Sequence, residues 1–269
     1  MQTLPSNDDL LSSLPTDTRL AGRTAIVTGS TGGIGEATAR VLAASGAHVI
    51  ISGRDAARAR YVASSILRAG GQATAVTADL SGTPDDVRTF VRHATDALGG
   101  QVDILINNAG VYPVTATEDL TDDDLEAILN VNIRAPHMLV AAIAPGMAAR
   151  GSGHIVNIGS WMARTGTASG ALYTASKAAA EQLGRNWAAE YGPRGVRVNT
   201  VARGVTLTPG NAAHGAVLDA MTAATVAARP VRPVDVAHAV RFLLTDEAAF
   251  IHGSVLDVDG GISHTRLRF

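Results

Sequence analysis

From residue 24 to residue 258 the chain alternates short runs rich in Val and Ile with longer amphipathic stretches, and this alternation constrains the fold more than any other feature. The runs at 24–28, 48–52, 73–77, 104–107, 154–158, 196–201 and 255–258 read as strands. Most lack a two-residue polar alternation, as expected where both faces of a parallel sheet are covered. The stretches at 34–45, 56–69, 85–98, 119–149, 173–191 and 234–245 read as helices, and Asp55, Thr83 and Thr121 are placed to cap three of them. The pattern predicts an α/β, doubly wound parallel sheet of about seven strands with helices on both faces. With no repeat, low-complexity segment or composition break, residues 21–269 are expected to form a single Rossmann-type domain. Residues 1–20 read as a polar arm outside the fold, available to pack on a neighbouring subunit.

Composition excludes several classes of function. A net charge of −2 gives no electrostatic reason to expect nucleic acid or an anionic membrane as partner. The chain has no cysteine, which removes disulfides, thiolate metal sites and a Cys nucleophile. Its eight His residues show no HExxH and no close ligand pair, so no metal site is expected. The N-terminus carries Asp8, Asp9 and Asp17 and no basic leader, and no run of 18 apolar residues is evident; a cytoplasmic protein is expected.

Between the first strand and the first helix lies Thr28-Gly29-Ser30-Thr31-Gly32-Gly33-Ile34-Gly35. Glycines there let the backbone turn tightly and approach a pyrophosphate, whose charge sits at the helix N-terminus. No Gly-Lys-Ser/Thr follows, so a P-loop is excluded. Where the second strand ends, an acidic residue suits the ribose of NAD and an Arg the 2′-phosphate of NADP. Gly53 holds that place with Arg54 beside it, while Asp55 is better read as a helix cap; NADP is therefore favoured over NAD.

Tyr173 and Lys177 stand four apart, on one face if the segment is helical. A cation near the phenol favours the phenolate and brings a group of pKa about 10 closer to working pH. Ser160 is then available to hydrogen-bond a substrate oxygen while Tyr173 exchanges a proton with it. Such a set suits the interconversion of a carbonyl and an alcohol, given a separate hydride carrier. No Gly-x-Ser-x-Gly elbow surrounds Ser160, so a serine hydrolase is excluded.

Together these residues resemble the short-chain dehydrogenase/reductase family over residues 22–262. Residues 28–35 resemble its TGxxxGxG, Asp79-Leu80 its adenine-contacting Asp, and Asn107-Asn108-Ala109-Gly110 its NNAG. Asn132 falls where the family carries a helix Asn, Ser160 stands at the usual distance from Tyr173, and 255–261 resembles its C-terminal strand and turn. The resemblance implies that Tyr173 is the general acid/base, that Ser160 orients the carbonyl and that Lys177 lowers the Tyr pKa and binds the nicotinamide ribose. It implies that Asn132 holds a water linking Lys177 to solvent. Cofactor contacts implied are Gly29, Ser30, Thr31, Gly33, Ile34, Gly35, Arg54, Asp79, Leu80, Asn108, Ala109, Gly110, Tyr173, Lys177, Gly204, Thr206 and Thr208. After the sixth strand the family usually has Pro-Gly; here Arg203 replaces the Pro and Thr206 an apolar residue. Arg203, at the mouth of the site, would favour an anionic substrate or carrier; its plainer reading is a loop Arg facing solvent. Trp161 and Met162 are candidates for lining the substrate pocket.

Residues 208–231, rich in Ala and small residues, are expected to form a substrate lid for a small or slender, partly apolar substrate. The pattern is nearest to 3-oxoacyl-carrier-protein reductases, which implies a 3-oxoacyl thioester or small ketone as substrate and an acyl-carrier protein as a candidate partner. A homotetramer is implied, or a dimer, with helices near 119–149 and 173–191 in one interface and the C-terminal segment in another. Two alternatives stay open: an NAD-dependent alcohol or polyol dehydrogenase, and a dinucleotide-binding sensor or scaffold without turnover.

Overall fold

The computed structural model describes Leu14 and residues 17–265. Seven strands form one parallel sheet in the order β3-β2-β1-β4-β5-β6-β7. They are β1 Thr24–Val27, β2 His48–Ile51, β3 Gln72–Ala75, β4 Ile104–Asn107, β5 Gly153–Ser160, β6 Val196–Arg203 and β7 Val255–Val258. Both faces are covered, which is why the strands read as continuous apolar runs. Val27, Val49 and Ile106 face a core closed by α1 Gly33–Ala44, α2 Ala56–Arg68 and α8 Pro233–Leu244. Ile26, Ile50 and Leu105 face the opposite core, closed by α3 Pro84–Ala97, α5 Ala135–Ala149 and α6 Ala171–Tyr191. Each fully buried Ile of this kind contributes about 1.5–3 kcal/mol.

The three expected caps are present. Asp55 accepts from the amides of Ala57 and Arg58 at 2.9 and 3.0 Å, and Thr121 from that of Asp124 at 3.2 Å. Thr83 and Asp86 form a reciprocal capping box at the start of α3. Asp55 is thus a cap, as its place before a helix suggested.

The structure departs from the sequence reading in three places. The helix expected over 119–149 is a 3₁₀ turn at Thr117–Asp119, α4 Asp122–Ile128, a π segment Leu129–Arg134 and then α5. Pro136 has no N–H to donate to the carbonyl of Asn132 four residues earlier, which favours the wider turn there. Strands β5 and β6 run two residues further than expected, ending on Ser160 and Arg203. The stretch after β6 contains a further helix, α7 Gly215–Ala223.

The run Asp122–Ala149 has the length and hydropathy of a membrane-crossing helix. Its Ile128, Leu139, Val140, Ile143 and Met147 are nevertheless buried, and the last four pack in the second core. Of the expected N-terminal arm, Leu20 is buried in the first core and Asp17 pairs with Arg241 of α8 at 2.8 Å. The rest of residues 1–16, apart from Leu14, lies outside the described residues.

Candidate active site

The strand order turns back on itself between β1 and β4, and open α/β sheets bind ligands at the carboxyl ends of the strands beside such a switch point. A cleft of ≈ 850 Å³ lies there, running from Arg54 and Asp79 to Tyr173 and Arg203.

One end of the cleft is built by the glycine turn. Gly29 and Gly33 have φ of +63° and +55°, a region that favours glycine. A Cβ at Gly35 would lie 2.3 Å from the Gly29 carbonyl oxygen and 2.4 Å from Asn108 Nδ2. Asn108 donates to the carbonyls of Thr28 and Gly29, and the Thr28 hydroxyl accepts from the amides of Asn108 and Ala109 at 3.0 Å. The two motifs are therefore one stapled unit. The N-cap of helix α1, Gly32, makes no side-chain cap, and the positive end of the helix dipole there favours an anion in the cleft. This glycine cradle on an uncapped helix end fits a dinucleotide pyrophosphate.

Most of the expected cofactor residues line the cleft, among them Gly29, Thr31, Ile34, Asn108, Ala109 and Gly110. Arg54, Asp79, Leu80, Thr206 and Thr208 line it too. Asp79 accepts from the hydroxyl and amide of Ser81 at 2.6 and 3.0 Å; these bonds, with Arg54 nearby, hold its carboxyl below the ordinary range.

Three of the expected cofactor residues, Ser30, Gly204 and Gly33, do not line the cleft. Ser30 does not face the cleft: its amide and hydroxyl bond the Ser52 and Val27 carbonyls, and the same hydroxyl accepts from the Ser52 amide. It splices β1 to β2. Gly204 is a packing glycine, since a Cβ there would meet Asp259 Cα at 2.6 Å. Gly33 backs onto Thr208, whose methyl would lie 3.3 Å from an added Cβ, and it shapes the turn without lining the cleft. The sequence reading also missed Arg58, whose Nε donates to the Thr31 carbonyl and pins the glycine turn. In sequence it is one more Arg on a polar helix face. Ser52 and Tyr112 line the cleft without having been expected to, and Val217, Leu218 and Met221 of α7 line it from within the expected lid segment.

At the other end, Ser160 closes β5 and Arg203 closes β6 as its register partner. Tyr173 and Lys177 approach from α6. The Ser160 hydroxyl accepts from the Met162 amide at 3.2 Å and lies near enough to the Tyr173 phenol to lower its pKa, and Arg203 Nη2 donates to the phenol oxygen at 3.3 Å. Lys177 Nζ donates to the Ile158 carbonyl at 3.0 Å. Burial pushes the Tyr173 phenol up, but Arg203, then Lys177 and the Ser160 hydrogen bond, hold it below its ordinary value. Burial lowers Lys177 as well, with Arg203 adding to that and Tyr173 opposing it. Trp161 and Met162 occupy the 3₁₀ turn after Ser160 and line the cleft. That turn is anchored by Arg164, which bridges Asp257 of β7 and Glu181 of α6.

Asn132 sits in the π segment with both polar atoms of its side chain hydrogen-bonded. It exchanges hydrogen bonds with the main chain of Val111 at 2.9 Å and donates to Ser176 at 3.0 Å. Both Asn132 Oδ1 and Lys177 Nζ would touch a Cβ placed on Gly110. A second, small cavity of ≈ 10 Å³ is lined by Asn132, Pro136, Lys177, Asn107 and Asn157. Asn107 Oδ1 and Asn157 Nδ2, both buried, have no protein partner there.

A profile of the short chain dehydrogenase family matches residues 23–217. The chain belongs to the short-chain dehydrogenase family. Its members are oxidoreductases working between CH–OH and carbonyl groups, and this one carries the dinucleotide-binding fold. It is 38% identical over 247 residues to the cis-4-hydroxycyclohexanecarboxylate dehydrogenase of Sinomonas cyclohexanicum, covering 90% of this chain and 96% of the relative. It is 35% identical over 248 residues to the 3-oxoacyl-[acyl-carrier-protein] reductase of Vibrio cholerae, covering 90% and 98%. Among solved structures, a short-chain dehydrogenase from Burkholderia cenocepacia in complex with NADP superposes with a TM-score of 0.83 at 41% identity, covering 91% of this chain and 99% of that one.

Proposed function

We propose that this short-chain dehydrogenase is an NADP(H)-dependent oxidoreductase that interconverts a small ketone, or a 3-oxoacyl thioester, and its secondary alcohol, with Tyr173 as general acid/base. The carrying observation is the convergence of Ser160, Lys177 and Arg203 on the Tyr173 phenol at the wall of the cleft. A bound nicotinamide supplies or accepts the hydride. In reduction Ser160 holds the substrate oxygen and Tyr173 gives it the proton; in oxidation Tyr173 takes the proton back. Lys177, held by the Ile158 carbonyl, stabilises the phenolate that this exchange creates. The small cavity beside Lys177 is about one water in size, and Asn132, Asn107 and Asn157 offer it polar partners. In this reading Lys177 passes its proton to a water held beside the Asn132 segment.

For the cofactor, Gly53 supports NADP. A Cβ there would press within 2.8 Å of the Thr31 side chain, so the position has no room for a ribose-binding carboxylate while Thr31 stays in place. Arg54 lines the cleft beside it, and Arg58 sits against Gly32. The substrate class draws on the relatives: one acts on a carboxylate-bearing cyclic alcohol and one on a carrier-bound 3-oxoacyl group. The segment Pro209–Ala223, whose Asn211, His214, Val217 and Met221 line the cleft, is the substrate lid in this reading. The protein is read as a cytoplasmic homo-oligomer.

Tyr173→Phe tests the assignment. It is expected to bind NADPH as the wild type does and to lose activity on the order of 10²–10⁴-fold, measured as NADPH oxidation with ketones. Undiminished turnover excludes Tyr173 as the proton donor. NADPH binding without turnover of any ketone or 3-oxoacyl thioester by the wild type favours the sensor reading.

A further inference from the structure

Arg203 closes β6 and shares its register position with Ser160, so both side chains leave the sheet on the same face, toward the phenol. Its guanidinium is committed to two weak partners, the Tyr173 oxygen at 3.3 Å and the Gly204 carbonyl at 3.2 Å. A guanidinium has five N–H donors, so most remain for a ligand in the cleft that Arg203 lines. Among the described residues it forms no ion pair. The nearby carboxylates are engaged elsewhere: Asp257 by Arg164 and His264, and Asp259 by the amides of Gly261 and Ser263. With the buried Lys177 also acting on the phenol, this end of the cleft holds two cations and, among the described residues that line it, no carboxylate. A half-buried, uncompensated positive charge at the wall of a cleft favours an anionic occupant.

Building on the oxidoreductase reading above, we propose that Arg203 is the specificity residue of this site and that the substrate is a short oxo-acid (or the matching hydroxy-acid), its carboxylate bound by Arg203. Contact with the phenol oxygen places the guanidinium at the reacting centre, not at the cleft mouth where the sequence alone suggested it. That location selects a carboxylate carried close to the carbonyl, within one small molecule, over the surface of an acidic carrier protein. The carbonyl carbon takes the hydride of the reduced nicotinamide and the carbonyl oxygen takes the Tyr173 proton. The ketone becomes a secondary alcohol and the carboxylate passes through unchanged.

The test compares acetoacetate and levulinate with their methyl esters as NADPH-dependent substrates of the wild type, Arg203→Met and Arg203→Lys. Arg203 also acts on Tyr173, and that effect moves acid and ester alike; the acid-to-ester ratio of kcat/KM isolates recognition of the charge. The wild type is expected to prefer at least one free acid by on the order of 10- to 100-fold, the scale of a charge-assisted hydrogen bond. In Arg203→Met the ratio should collapse toward one, mainly through KM, and Arg203→Lys should restore part of it. Equal use of acid and ester by the wild type, or an equal loss on both in Arg203→Met, overturns the oxo-acid assignment while leaving the ketone reductase intact. No turnover of any of the four compounds overturns the oxo-acid assignment, and it overturns the ketone reductase as well only where NADPH binds and no neutral ketone or 3-oxoacyl thioester is reduced either.

Discussion

Burial alone would hold the Tyr173 proton more tightly than water does, because the phenolate loses its solvation. Arg203, then Lys177 and the Ser160 hydrogen bond, outweigh that penalty and leave the phenol below its ordinary range. Alcohol oxidation needs the deprotonated phenol, so its kcat/KM should rise with pH through a midpoint lying below that of an ordinary tyrosine. Ketone reduction needs the protonated form and should fall across the same interval. Replacing Arg203 with Met removes one lowering influence, and the oxidation midpoint measured with a neutral secondary alcohol should move to higher pH. An unmoved midpoint would mean that the guanidinium does not act on the phenol. Of these groups, Tyr173, Lys177 and Ser160 are legible in the sequence because helical spacing and the end of an apolar run place them. The contact of Arg203 with the phenol is not, since it depends on β6 running two residues past its apolar core to reach the same edge as Ser160. Ser30 and Gly204 have structural duties that the motifs do not announce. They sit inside recognisable motifs, yet one is consumed by strand splicing and the other by packing on Asp259.

At the scale of elements, the glycine turn and the loop after β4 act as one part. Asn108 Nδ2 occupies the space that any side chain at position 35 would need. Gly35→Ala should therefore do more than crowd a loop. The added carbon meets backbone at 2.3 Å, which must either displace the Gly29 carbonyl or expel Asn108. The expected result is a stability loss of about 1–3 kcal/mol or more, read by denaturant titration, with NADPH binding by fluorescence titration largely abolished. Wild-type affinity in that variant would show that the cradle does not hold the dinucleotide. The strands and caps in this region were legible because Val and Ile runs and Asp or Thr before helices have local causes. The π segment at Leu129–Arg134 was not, because an apolar helical pattern continues through it. Its one sequence signal is Pro136, which cannot donate to the carbonyl of Asn132 inside the segment. Helix α7 was missed as well, since Gly, Ala and Thr give its nine residues little period.

At the scale of the whole molecule, the same long helical run that fills the second core leaves an outer face. Leu125 and Leu129 are 39% and 40% exposed, and Ala141, Ala142, Pro145 and Ala149 continue that face along α5 as small side chains. Small residues let two helices approach closely, and a surface that pairs with its own copy about a two-fold axis closes without leaving a free end. This supports the proposal that a second copy of the chain covers α4–α5 and the outer side of α6, in a tetramer or a dimer. Light scattering after size exclusion should then give a mass of two or four times 27.5 kDa. The double variant Leu125→Glu with Leu129→Glu places like charges against each other across such an axis and should shift the protein toward smaller species. Both positions are exposed in the single chain, so each protomer should keep its helical circular dichroism. A wild type of single-chain mass, or a double variant that assembles as before, would remove α4–α5 as the interface.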